Sequence, residues 1–593
     1  MPLPIEDYAL LGDRHTAALV GKDGSIDWLC LPRFDSPACF SALLGTEEHG
    51  RWLLSPVGEH TVTRRYLDDS NVLETTFTTA SGVVRLVDLM PTGDGRADLV
   101  RRITGVTGTV RIRHEWIVRM DYGSVRPWVR RHHIGGEEVI SAVAGPDQLI
   151  LRGPRLPRAV DHRHADEFDV AEGDELVFST TWLPAHRDES ELPDLGARIE
   201  STIQDDVEWL SPCRTDVPHA DVVRRSLLTL RLLTHEQTGG IVAAPTTSLP
   251  EDFGGERNWD YRYCWLRDAA LTLEALISAG FIDEVRLWKD WLLRAVAGSP
   301  ADLQIMYAVD GARRLPEREL DHLPGYAGSR PVRIGNGAVC QRQTDVLGEV
   351  MIALDLARTA GVERDEDSWR LQRALVDDLA THWHHPDNGL WEIRGPQRHF
   401  THSRAMVWAA FDRAIRAVEV HGRPGSTEEW RRVRDEVREE ILTQGFDEER
   451  NSFTQHYDTT EVDASLLVLP LIGFIDGTDP RMLGTITAIE EDLMRDGLLL
   501  RYRTQSGVDG LDGDEHPFLA CSFWLVSAYV MAGRKDDARA LFDRLCGLAN
   551  DVGLLAEEYD PTYDGGRGRM AGNFPQAFSH LTLVQAAYLL AET

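Results

Sequence analysis

The first third of the chain alternates. Val110, Ile112, His114 and Trp116 take every second position against Arg111, Arg113 and Glu115, the period of a half-buried strand. Val72-Leu-Glu-Thr-Thr-Phe-Thr-Thr and Val83-Val-Arg-Leu-Val-Asp-Leu flank Ala80-Ser-Gly, which predicts a hairpin closed on Ser81-Gly82. Thr, Val and Gly turns persist to about Trp182, so an antiparallel β-sandwich is expected. Near residue 205 the period changes. Met406, Ala410, Ala414 and Val418 share one helical face, and about twelve helical segments follow. They lie near 219–235, 265–280, 283–297, 341–361, 367–384, 402–420, 427–444, 461–470, 480–496, 518–533, 537–549 and 576–591. Cap-type residues open several of them, Thr427-Glu-Glu and Asp479-Pro among others.

Short and long loops alternate between these helices. The long ones are 236–264, 298–340, 385–401, 497–517 and 550–575, and loops of such length in a compact domain are usually functional. Six helical hairpins closing into an (α/α)6 barrel need this count, with the long loops on one face. A helical solenoid gives a similar tally. The expected division is a β-sandwich over 1–205, a linker over 206–218 and the barrel over 219–593. The polar stretch Pro193 to Val217 joins the parts and is expected to hold a helix near Leu195–Leu210.

Composition narrows the function. The 593 residues are 42% hydrophobic with a net charge of −33, so a soluble fold is expected and polyanions are disfavoured. Nucleic acid and anionic membrane are excluded as main partners, a small neutral substrate is favoured, and a homo-oligomer is compatible with the composition. Seven cysteines stand singly, as reduced thiols do. The N-terminal Met1-Pro-Leu-Pro-Ile-Glu-Asp lacks the basic and apolar regions of an export signal, which places the expected work in the cytoplasm. No phosphate-binding or dinucleotide fingerprint opens a helix after a strand. His382, His384 and His385 read as a solvated helix end, and Asp509-Gly-Leu-Asp-Gly-Asp514 lacks the rest of a calcium loop. No metal or other cofactor is expected.

The chemistry concentrates in the long loops. Arg257-Asn-Trp-Asp-Tyr-Arg-Tyr-Cys-Trp-Leu-Arg-Asp268 interleaves aromatics with an adjacent Arg267–Asp268 pair. Aromatic faces stack on sugar C–H surfaces, and an Arg–Asp pair donates to and accepts from neighbouring hydroxyls. Gly389-Leu-Trp391-Glu392 sets a carboxyl beside an indole, an environment that favours the protonated acid. Gly553-Leu-Leu-Ala-Glu557-Glu558 offers a second carboxylate of the kind glycoside hydrolysis requires. Each alone is ordinary: a core helix start, a surface acid, a solvated acid pair.

Together, in this order and spacing, they resemble glycoside hydrolase family 15, which holds glucoamylases, glucodextranases and a bacterial and archaeal trehalase group. The match runs over Asn258 to Asp268, over Leu390 to Glu392, and over Gly572-Asn-Phe-Pro-Gln-Ala-Phe-Ser-His580. Ile5-Glu-Asp-Tyr-Ala-Leu-Leu-Gly-Asp and Gly24-Ser-Ile-Asp-Trp-Leu-Cys-Leu-Pro-Arg-Phe-Asp-Ser resemble the N-terminal domain of such members. The resemblance implies Glu392 as general acid and Glu557 as general base, with Glu558 standing where many members carry Gln. It implies Arg267 and Asp268 as the clamp on the terminal glucose, Tyr261, Trp265 and Trp391 as aromatics of the pocket, and Arg501 as a second substrate-binding arginine. Arg333 and Asn336 match the pocket lining more loosely. An inverting, exo-acting α-glucosidase releasing β-glucose follows, with trehalose as the favoured substrate. Maltose, isomaltose and malto-oligosaccharides are the alternative, and a disaccharide phosphorylase is a remote one. Trp28 to Asp35 is the segment of the N-terminal part best placed to lend a loop to the pocket.

Overall fold

The computed structural model describes residues 2–93, 95–187, 193–194, 196–362, 365–511 and 513–592. Two antiparallel sheets form the N-terminal part, joined by one long strand, Ala97–Ile117. Its first half pairs with Gly82–Leu89 and Glu175–Pro184, and its second half with Arg51–Pro56 and Arg163–Ala171. Alternation along the strand turns one face of each half inward. Across the resulting sandwich Trp116 Nε1 donates to Thr180 Oγ1 at 3.1 Å, and the Phe168 and Phe178 rings lie 6.0 Å apart. The predicted hairpin is present one residue out of place. Thr79 pairs with Gly82, so the loop is Ala80-Ser81. Thr79 Oγ1 accepts from the amides of Ser81 and Gly82, and this side-chain contact fixes the turn.

Helix α1 (Gly196–Leu210) follows the sandwich, while Leu195 lies outside the described residues. Ile199 packs on Val72, Val87, Leu89 and Val100 of the sheets. Asp206 accepts from the amide of Asn71 at 2.8 Å and pairs with Arg231 of the next helix. The helix therefore bridges the two parts.

Among the described residues eleven further long helices build the second part, and a 3-10 element completes its inner ring. In chain order they are α2 (Ala220–Leu232), α3 (Leu266–Ala279), α4 (Asp283–Ala295), α5 (Asp345–Thr359), α6 (Glu366–His382), α7 (Thr401–Glu419) and α8 (Thr427–Gln444). The 3-10 element Ala464–Val468 comes next, then α9 (Pro480–Leu493), α10 (Leu519–Met531) and α11 (Lys535–Cys546). A single turn, α12 (Tyr563–Gly566), precedes α13 (Ala577–Ala591). α3, α5, α7, the 3-10 element, α10 and α13 each pack on the next, and α13 packs back on α3. That closure makes a barrel and excludes a solenoid.

Sequence explains which helices lie inside. α10 and α13 carry no charged residue and are buried nearly all round. α8 is charged except for one stripe, Trp430, Val433, Val437 and Ile441, which is buried. Gly348 lets α5 approach α7, since a Cβ there would stand 2.7 Å from the Met406 carbonyl carbon. The fourth inner element is not the α-helix expected over 461–470. Pro470 supplies no amide to continue a helical ladder, and Asp463 caps a tight turn by accepting from Ser465 N at 2.8 Å. Among the described residues no helix is long and apolar enough to cross a membrane.

The two parts meet behind the Asn258–Asp268 segment. Trp28 Nε1 donates to the Pro245 carbonyl at 2.9 Å. Arg262, fully buried, forks onto Asp260 at 2.6 and 2.8 Å and donates to the Ser36 carbonyl at 3.0 Å and to Tyr122 Oη at 2.9 Å.

Candidate active site

The long loops preceding the inner helices converge on one cavity at the helix N-terminal ends. Largely extended backbone before α3 alternates the side chains from Arg257 to Arg262, while Tyr263 breaks the alternation and lines a different cavity. Arg257, Trp259, Tyr261, Trp265 and Arg267 face the cavity, while Asn258, Asp260 and Arg262 face the N-terminal part or neighbouring loops. Arg267 and Asp268 fall in the first turn of α3. Arg267 Nε and Nη2 donate to Asp268 Oδ2 at 3.1 and 2.8 Å, and Nη1 donates to the Leu390 carbonyl at 2.6 Å. The pair forms a rigid floor, with Phe578 under the guanidinium at 5.4 Å.

Glu392 approaches from the loop before α7. Its backbone is left-handed at φ 59°, a conformation that costs a non-glycine residue energy and aims its side chain into the cavity. Oε1 accepts from Trp265 Nε1 at 2.6 Å, and Arg267 Nη2 stands 3.9 Å away. Burial raises its pKa above the usual carboxylate range, against the Arg267 charge and the Trp265 hydrogen bond. The indole on the acid is thus Trp265. Trp391, expected in that role, lines the cavity but turns its Nε1 to Asp463 at 2.9 Å.

Glu557 comes from the loop before α13 and is 1% exposed. Oε2 accepts from the amide of Asn573 at 3.1 Å, and Oε1 accepts no hydrogen bond. Gly572 makes room for it: φ is +75°, and a Cβ there would stand 2.5 Å from Oε2. Burial raises the Glu557 pKa to about 8, helped by the Glu251 charge and opposed by Arg501, the neighbouring Tyr261 hydroxyl and the Asn573 amide. Glu558 begins a short strand and points the other way, accepting from the amide of His516 at 3.1 Å. Only Glu557 of the two lines the cavity.

Arg501 also lines the cavity, in a different setting from the one expected. Nη2 donates to Glu251 at 2.9 Å and to Glu515 at 2.6 Å, and Glu558 Oε1 lies 3.6 Å away. The guanidinium is held by three buried carboxylates. Beside it Arg257 Nη2 donates to Asp509 at 2.6 Å, which commits the first residue of the Asp509–Asp514 run to an ion pair, while Asp512 lies outside the described residues.

All eight residues singled out as the site, Glu392, Glu557, Arg267, Asp268, Trp265, Tyr261, Trp391 and Arg501, line this one cavity. Asn336 lines it as well. Arg333 does not; its guanidinium stacks on Trp259 at 4.6 Å. No residue before Ala243 lines it among the described residues, so Trp28 to Asp35 backs the site and lends it no loop. Glu251, Arg394, Tyr502, Gln576 and Phe578 complete the wall and were not foreseen. Phe578 and Gln576 could have been read from the run Gly572–His580. Glu251 offered no signal, since its partner Arg501 is 250 residues away.

Comparison with known proteins follows this geometry. The family model described as "Glycosyl hydrolases family 15" matches residues 217–588, and the model described as "Trehalase-like, N-terminal" matches residues 1–172. The chain is 37% identical to a trehalase of Mycolicibacterium smegmatis over 98% of its own length and 90% of that protein's. It is 36% identical to a trehalase of Thermoplasma acidophilum, covering 97% of this chain and 98% of that one. The fold is similar to that of a bacterial glucoamylase solved with acarbose, with TM-score 0.72, 12% identity, and 100% and 94% of the two chains covered.

Proposed function

The chain belongs to glycosyl hydrolase family 15, and on that premise we propose that it hydrolyses trehalose, with inversion, from the closed end of this cavity. The observation that carries the reading is the pairing of Glu392 and Glu557, brought by separate loops to one cavity floored by Arg267 and Asp268. The clamp takes the hydroxyls of one terminal glucosyl unit. Glu392, protonated, delivers its proton to the glycosidic oxygen. Glu557, ionised, withdraws a proton from water attacking the anomeric carbon from the opposite face. Inversion requires room for that water, with carboxyls ~6.5–9.5 Å apart. Trp265 fixes the acid's orientation, and the free Oε1 of Glu557 is the lone pair the water needs. The neutral substrate suits a protein of charge −33, and a cytoplasmic place of action completes the proposal.

A panel of trehalose, maltose, isomaltose, maltotetraose and soluble starch, scored by glucose release, tests the substrate. The highest kcat/KM is expected on trehalose, and a preference for maltotetraose or starch would replace it with a glucoamylase. Proton NMR of early turnover should show β-glucose from the attacked ring, whereas α-glucose as the first product excludes inversion.

The pH profile has a sign set by the site. The base must be ionised, so kcat/KM rises as pH passes upward through the Glu557 pKa, which lies near 8 rather than in the ordinary Glu range. The acid must be protonated, so activity falls as pH rises through the Glu392 pKa, also raised. Both limbs are therefore displaced upward. Glu251→Gln removes the like charge beside Glu557 and should move the rising limb to lower pH. An unmoved limb would show that Glu557 is not the group titrating there.

A further inference from the structure

The barrel axis has two ends, and the chemistry described so far uses one. At the other lies a cavity of about 290 Å³, bounded by all six inner elements of the ring. Leu390 belongs to both walls, with its carbonyl held by Arg267, so the two cavities are separated by a thin floor. This second cavity is lined by acidic and unpaired polar groups. Glu349 on α5 is 2% exposed and its Oε2 has no hydrogen-bond partner. His402 on α7 is 4% exposed and its Nδ1 has none. Glu274 on α3 accepts from Gln585 Nε2 at 3.5 Å, the long limit of a hydrogen bond. Ile352, Leu356, Met406, Val468 and Leu471 give the cavity an apolar wall. Buried polar groups are seldom left without partners in a folded protein.

We propose that this cavity binds a small primary organic ammonium, its charge at Glu274 and Glu349 and its hydrocarbon body against the apolar wall. Three further observations agree on a cation. The last turns of α3, α5 and α13 supply Ser278, Leu356 and Leu589 to the mouth, so helix C-terminal ends with their partial negative charge face it. Glu592 stands at the same mouth. Among the described residues no lysine or arginine lines the cavity. Arg413, the cation that acts on Glu274, donates to Asp412 at 2.6 Å, and Arg267, which acts on Glu349 and His402, is committed to Asp268. Burial pushes Glu274 up to about 8 and Glu349 well above the usual carboxylate range, as expected for acids that lack a matching charge. An ammonium head provides that charge and three donors at once. The proposal is independent of which glucoside the catalytic cavity takes.

The test is calorimetric titration of the full chain with n-hexylamine hydrochloride, using n-hexanol and sodium hexanoate as neutral and anionic controls. One amine is expected to bind per chain, about tenfold or more tightly than either control, because its hydrogen bonds to carboxylates are charge-assisted. Ser278→Arg, at an exposed mouth position, should abolish binding by placing a cation there. Glu274→Gln should bring the amine to within about threefold of the alcohol. Glu557→Gln alters the catalytic cavity and should leave amine affinity unchanged. Equal affinity for amine and alcohol, binding untouched by Ser278→Arg, or binding lost in Glu557→Gln would each overturn the proposal.

Discussion

Glu557→Gln is expected to lose at least ~100-fold in kcat on every substrate, while Glu392→Gln loses as much only where the leaving group needs a proton. The two roles differ in what they supply. An alkoxide is a poor leaving group, so trehalose hydrolysis in Glu392→Gln stalls at bond cleavage. Fluoride departs without protonation, so α-glucosyl fluoride should be turned over by Glu392→Gln within about tenfold of the unaltered protein. Glu557→Gln should fail on the fluoride as well, since water still needs its proton removed. Neither change should weaken the fold. Glutamine keeps the shape, and at position 392 its oxygen still accepts from Trp265 Nε1. The sign of the linkage agrees. A carboxyl whose pKa is raised in the folded state contributes stability below its ordinary pKa and loses it as pH rises through the folded value. Removing the Glu557 carboxyl is therefore neutral below its ordinary pKa of 4.5, increasingly stabilising from there up to about 8, and constant above that. Steady-state kinetics on the two substrates, with a thermal melt of each variant, reads all of this. Near-normal trehalose turnover by either variant would remove that residue from its role.

Arg501→Met is expected to be the most damaging single change to the fold near the site. Its guanidinium is the cation shared by Glu251, Glu515 and Glu558, and all four side chains are nearly inaccessible to water. Methionine fits the space and leaves the three carboxyls with Arg257 alone, which stands 3.7 Å from Glu515 and already pairs with Asp509. Breaking a buried ion pair from one side costs about 3–5 kcal/mol, a large part of a typical domain's stability. Arg501→Lys keeps the charge and should retain the fold, but an ammonium cannot span the carboxylates as the fork does. Its expected signature is a raised KM with a smaller loss of cooperativity in urea. If Arg501→Met melts within a degree of the unaltered protein, the carboxylates are not ionised as a group and the guanidinium is not their counter-charge.

What could be read in advance follows from how local each feature is. The helix predicted over 427–444 is observed as Thr427–Gln444 because its buried stripe and its acidic first turn are both in the sequence. The (α/α)6 arrangement depended on a count, and the ring closure from α13 to α3 decided it. The fourth inner element was misread because its apolar run is helical in period, whereas Pro470 and the Asp463 cap impose a tighter turn. At the site, aromatics and acids close together in sequence were legible, and their convergence came from the family's motif order. Glu251 was not legible, because its place is defined by Arg501, Glu515 and Glu558 and by nothing in its own loop. Trp391 and Trp265 exchanged parts for a related reason. Adjacency along the chain put Trp391 next to Glu392, but a left-handed residue follows it and sends the two side chains apart.

The two-sided segment Arg257–Arg267 limits how freely the two halves of this protein can be recombined. The same short stretch that presents Trp259, Tyr261 and Trp265 to the cavity is gripped from behind through Arg262, which Asp260 holds in place. A chimera that joined this barrel to another N-terminal domain would need to bring Trp28 and the Phe34–Ser36 turn with it. Without them Arg262 would keep Asp260 but lose the Ser36 carbonyl, and the shape of the cavity wall would change even though no residue of that wall had been exchanged.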